Sequence, residues 1–148
     1  MGLFKKKQPI DSWVSDLQDL VASDPEQFTS IEQHDDKTYV VRLQGDYEVW
    51  VTFSGTDLYF IVGLSNIGKM AESFGISVED AYREMTQYVT TCSLGIDGED
   101  NLRFASVLFG SRYTPESLRD MMYRWVFETM DFTDAFGTMI DKYKGGSQ

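Results

Sequence analysis

His34 is the only histidine in the 148-residue chain, so neither a Ser-His-Asp arrangement nor a multi-histidine metal site can be assembled from it. It stands in Gln33-His34-Asp35-Asp36, a polar stretch read as a solvent-exposed turn. Ser54, in Phe53-Ser54-Gly55, lacks the glycine-flanked elbow that exposes a nucleophilic serine, and no glycine-rich phosphate loop with a following lysine is present. The acidic run Asp97-Gly98-Glu99-Asp100-Asn101 lacks the alternating oxygen ligands and terminal glutamate of a calcium loop, and reads as a hairpin turn. With 24 acidic side chains, a pair of carboxylates suited to glycosidic chemistry is available anywhere and discriminates nothing. No catalytic residue, metal site or cofactor is therefore expected.

The charge balance narrows the partners. A formal net charge of −11, from 24 acidic and 13 basic residues, repels a phosphate backbone. Met70–Thr91 has the spacing of a helix-turn-helix, but the start of the would-be recognition helix carries Glu79, Asp80 and Glu84 against Arg83 alone, so nucleic acid is not an expected partner. Cys92, the single cysteine, cannot form an internal disulfide; it reads as a small buried hydrophobe in a reducing, cytoplasmic setting. The start Met1-Gly2-Leu3-Phe4-Lys5-Lys6-Lys7 is basic, but no apolar run of about seven or more residues follows it, and Lys6 stands where a myristoylation motif takes Ser or Thr. No apolar stretch approaches the roughly 18 residues of a membrane span, and no stable membrane association is expected.

An apolar share of 42% and an aromatic share of 14% suffice for one core. Residues 1–8 read as a flexible basic N-terminus, 9–144 as a single α+β domain and 145–148 as a flexible tail. From Asp11 or Ser12 as N-cap, Trp13, Val14, Leu17, Leu20 and Val21 share one helical face, and Asp24-Pro25 ends the run. Residues 37–44, 47–53 and 57–64 are rich in β-branched and aromatic types and are separated by turn residues, predicting an antiparallel three-stranded meander, with a further short strand near Phe28–Gln33. Two short helices follow. The first bears Ile67, Met70, Ala71 and Phe74 and ends at Gly75; the second is capped by Ser77 and runs through Val78, Met85 and Val89 to Cys92. A hairpin spans Leu94–Ile96 and Leu102–Phe109. Thr114-Pro115 opens a long helix with the stripe Leu118, Met121, Met122, Trp125, Val126, Met130, Phe136 and Ile140.

Register follows from alternation. A three-residue Gln44-Gly45-Asp46 loop and a Gly55-Thr56 turn set Val41 opposite Val49, Val51 opposite Phe60, Phe53 opposite Leu58, and Arg42 opposite Glu48. One sheet face then carries Tyr39, Val41, Leu43, Val49, Val51, Phe53, Leu58, Phe60 and Val62 and takes the long helix. The opposite face carries Val40, Trp50, Tyr59 and Ile61 amid Thr38, Arg42, Glu48 and Thr52, the composition of a protein-binding patch or of a face covered by a helix or a dimer mate.

The element order helix, three strands, helix or helix pair, hairpin, long helix resembles the fold shared by type III secretion chaperones and the YbjN family, over residues 10–143. The resemblance lies in Thr38-Tyr39-Val40-Val41-Arg42-Leu43, Tyr47-Glu48-Val49-Trp50-Val51, and Asn101–Leu108 before Thr114-Pro115-Glu116-Ser117-Leu118. It implies helices packed on one face of an antiparallel sheet, in the order α-β-β-β-α-β-β-α. It further implies a non-enzymatic protein that holds a protein or extended peptide client, often as a homodimer. Two other readings stay open: an acidic immunity or inhibitor protein bound to a basic toxin or enzyme, and an enzyme whose site uses carboxylates or tyrosine.

Overall fold

The computed structural model describes residues 7–89 and 94–145. The expectations for the N-terminal basic segment, for Cys92 and for the last three tail residues lie outside the described residues. The chain folds as an α+β protein: one six-stranded antiparallel sheet with four α-helices. In chain order the elements are α1 (Trp13–Ser23), β1 (Phe28–Asp35), β2 (Thr38–Leu43), β3 (Glu48–Ser54), β4 (Asp57–Asn66), α2 (Ile67–Phe74), α3 (Val78–Tyr88), β5 (Leu94–Ile96), β6 (Asn101–Leu108) and α4 (Pro115–Gly145). The strands lie side by side as β1-β2-β3-β4-β6-β5.

The further strand expected near Phe28–Gln33 is present and two residues longer, Phe28–Asp35, and by pairing with β2 it extends the meander to four strands. Its polar end, Glu32 to Asp35, is an edge whose side chains face water, so neither alternation nor apolar content marked its last two residues, His34 and Asp35. The other pairings stand as expected: Val41 opposite Val49, Arg42 opposite Glu48, Val51 opposite Phe60 and Phe53 opposite Leu58. The turns explain why. Gly45 and Asp46 take positive φ (95° and 68°) in the first loop, and Gly55 (63°) opens the second; glycine reaches that region without a Cβ penalty. A Thr38–Thr52 hydroxyl contact of 3.0 Å and an Arg42–Glu48 pair at 3.2 Å add cross-strand links.

The helices are capped as their residues dictate. The Asn66 side chain accepts from the Lys69 amide at 2.9 Å and Ser77 Oγ from the Asp80 amide at 3.0 Å. Thr114 Oγ1 and the Ser117 hydroxyl each accept from the other's amide at the start of α4. Helix α1 differs: Ser12 does not cap it but ends a 3₁₀ turn (Pro9–Ser12) and donates to Asp16 at 2.7 Å. Helix α3 ends at Tyr88, with Val89 already extended.

Among the described residues the helices pack on one face of the sheet. The Trp13 ring lies 5.5 Å from Tyr39 and 6.4 Å from Phe53; Trp125 lies 6.3 Å from Phe60 and 6.2 Å from Phe104. The core stripe of α4 runs Leu118, Met122, Trp125, Thr129, Phe132, Ala135 and Met139, all buried. Met130 is not among them. Five residues beyond Trp125 it has turned about 140° from that side chain's direction, and it is 58% exposed beside Phe127.

Gly110 marks the tightest backbone approach. A Cβ there would stand 2.1 Å from the Thr56 carbonyl oxygen, and the Gly110 amide donates to Asp57 at 2.9 Å. Gly137, inside α4, has open space around it. Gly110→Ala should therefore destabilise by about 1–3 kcal/mol, and Gly137→Ala should stabilise by about 0.5–1 kcal/mol. Urea unfolding of the two variants checks both signs.

Candidate functional site

Pairing places Glu32, Val40, Trp50, Ile61 and Ala105 in one row across β1, β2, β3, β4 and β6, on the face turned away from the helices. The neighbouring row is Thr38, Thr52, Tyr59 and Val107. All four residues singled out in the sequence, Val40, Trp50, Tyr59 and Ile61, thus meet in one patch. Tyr59 is 44% and Ile61 41% exposed, while Val40 and Trp50 are half-buried against their neighbours. Large side chains stay this open because alternation sends the partner residues Val41, Val51, Phe60 and Val62 to the helix side, where each is fully buried.

Three contributors were not anticipated. His34 is not in a turn: it is the irregular residue between the Gln33–Tyr39 and Asp35–Thr38 pairs, and its ring stands 4.7 Å from Trp50 at 68°, edge to face. Ala105 and Val107 extend the patch because β6, far along the chain, pairs with β4. Long-range pairing of this kind leaves no local signal in a single sequence. A shallow groove of about 780 Å³ runs from Trp50 and Ile61 past Gly63 to Arg103 and Asp97. On this face Arg42 pairs with Glu48 at 3.2 Å, and Arg103 lies close enough to Asp97 to help hold its carboxyl below the usual range.

The other sequence features are engaged structurally. Asp97 accepts from the Glu99 amide at 2.8 Å and the Asn101 amide at 3.0 Å, which holds its carboxyl below the usual range and closes the β5–β6 turn. Arg83 is paired to Glu79 at 3.0 Å and Asp80 at 3.5 Å on α3. Ser54 is exposed at the end of β3. Among the described residues no group of three or more His, Cys, Asp or Glu is placed to hold a metal ion, and no helix is long and apolar enough to cross a membrane.

Tyrosine and carboxylate do meet, three times. Tyr113 donates to Asp16 at 2.7 Å, Tyr123 to Asp24 at 2.5 Å, and Tyr143 to Glu84, which also receives Lys142. Burial first and then Asp16 push the Tyr113 phenol far up; the hydrogen bond to Asp24 raises Tyr123 and that to Glu84 raises Tyr143. Lys142 and Tyr143 hold Glu84 below the ordinary 4.5. A general acid or base working near neutrality needs shifts toward 7; these run outward. They tie helices together: α1 to the start of α4, and α3 to its end.

No protein-family model, curated protein or solved structure matches the chain.

The Glu84 cluster predicts a pH signature. A lowered carboxyl contributes stability that is present above the unfolded pKa and lost as pH falls through the folded one; the raised Lys142 and Tyr143 contribute below their ordinary values and lose it as pH rises. The excess stability of wild type over Glu84→Gln should be full near pH 7 and shrink both below 4.5 and above 10. Thermal melts across that range check it; a constant difference would exclude the ionised pair.

Proposed function

We propose that the chain is a non-enzymatic protein- or peptide-binding adaptor of chaperone type that holds an extended client against the open sheet face. One observation carries this reading: the apolar row Val40, Trp50, Ile61 and Ala105 lies in cross-strand register on a face that bears no helix among the described residues. An aromatic anchor at the centre of a patch with a polar margin is the usual composition of a binding hot spot. A client laid across it would bury Trp50 and Ile61 at roughly 25 cal/mol per Å² of apolar area removed from water, less its ordering entropy.

The resemblance to type III secretion chaperones and the YbjN family agrees with that role, and a second copy of the chain is the competing occupant of the same face.

Trp50→Asp is the direct test, after light scattering has separated monomer from dimer. Its side chain is half-buried on the open face, so the variant should keep the wild-type circular dichroism and lose client capture from a cytoplasmic lysate by about 30-fold or more, the scale of a central anchor. Equal capture by both proteins removes the open face from the account. Unfolding of the variant would place Trp50 in the core.

A further inference from the structure

The two most exposed large apolar side chains among the described residues are not on the sheet. Phe127 (66%) and Met130 (58%) stand on the outer side of α4, turned away from the buried stripe through Trp125. At about 100° per residue, Glu116, Asp120, Phe127, Met130, Asp134 and Asp141 fall within an arc of about 80°. All six are exposed, so the arc reads acid, acid, apolar, apolar, acid, acid along the helix. No basic side chain falls inside it: Arg119 lies over the Tyr123 ring at 5.7 Å, Arg124 is paired to Glu128 at 2.9 Å and Lys142 to Glu84. Beside Met130 a groove of about 370 Å³ opens between α4 and the loop joining β2 and β3. Tyr47 and Val126 line it, and Asp134 is its only charged lining residue.

An apolar centre bracketed by carboxylates at both ends selects a partner with the reverse pattern. We propose that the outer face of α4 docks a basic amphipathic helix of a partner protein, its apolar side on Phe127 and Met130 and its lysines or arginines on the flanking carboxylates. One apolar side chain of that helix would enter the groove against Tyr47. Charge complementarity carries the assignment, and it excludes a second copy of the chain as occupant. An antiparallel pairing that set Phe127 against Met130 would also set Glu116 of one copy against Asp141 of the other, and a parallel pairing would put each carboxylate against its own counterpart. The surface lies on the helix side of the molecule, away from the open sheet face. It neither needs the client-binding role nor competes with it.

The probe is a synthetic amphipathic peptide of leucine and lysine, about 14 residues long, titrated into the full chain and followed by the Met130 methyl resonance, with a leucine and glutamate peptide of the same pattern as control. Saturable one-to-one binding of the lysine peptide is expected, and none of the glutamate peptide. Phe127→Ser/Met130→Ser, which touches no buried side chain, should weaken binding about tenfold or more. Asp120→Asn/Asp134→Asn, which keeps shape and removes charge, should weaken it about threefold and flatten its dependence on salt. Trp50→Asp should bind the peptide as wild type does, which separates this surface from the open sheet face. Absence of saturable binding, binding of the glutamate peptide, undiminished binding by either folded α4 variant, or loss of binding by a folded Trp50→Asp overturns the proposal.

Discussion

A strand sends alternate side chains to opposite faces, so one slipped residue would exchange the core of this protein for its surface. Two turns prevent that. Gly45 and Asp46 between β2 and β3, and Gly55 between β3 and β4, take left-handed conformations that fix which residues stand opposite one another. Once Val41 faces Val49 and Val51 faces Phe60, Trp13 and Trp125 have a surface to cover, and Trp50 and Ile61 are committed to the other side.

The helices are then held by interactions that consume much of the protein's available chemistry. Tyr113, Tyr123 and Tyr143 each donate a hydroxyl hydrogen bond to a carboxylate of a distant segment, Asp16, Asp24 and Glu84, and Asn66 satisfies the start of α2 while donating to the Glu99 carbonyl and Asn101 across the β5–β6 turn. Phenols held protonated and a carboxyl held ionised are stable in those states over the neutral range. They fasten elements, while the sheet's free face presents Val40, Trp50, Tyr59 and Ile61 in cross-strand rows.

Much of this was legible in the residues. Strong alternation and turn glycines predicted β2 to β4 and their register; Ser77, Thr114 and Gly75 predicted helix ends. The misses have physical causes. The polar half of β1 is an edge exposed to water, so His34 read as turn and its contact with Trp50 was invisible. Met130 fits a loose apolar stripe, but the stripe that packs passes through Thr129, whose hydroxyl is satisfied by donation to the Trp125 and Val126 carbonyls. Ala105 and Val107 join the patch only through a pairing across more than forty residues, which periodicity cannot register.

A client can reach the row through Trp50 and Ile61 only if that row is open to solvent. A soluble paramagnetic relaxation agent, applied to the methyl-labelled protein at low concentration, measures this residue by residue. The account predicts strong enhancement for Val40, Ile61 and Val107 and weak enhancement for Val41, Val49 and Val62, alternating along each strand. Equal protection of both sets at every concentration would mean that another part of the chain covers the face, and would contradict it.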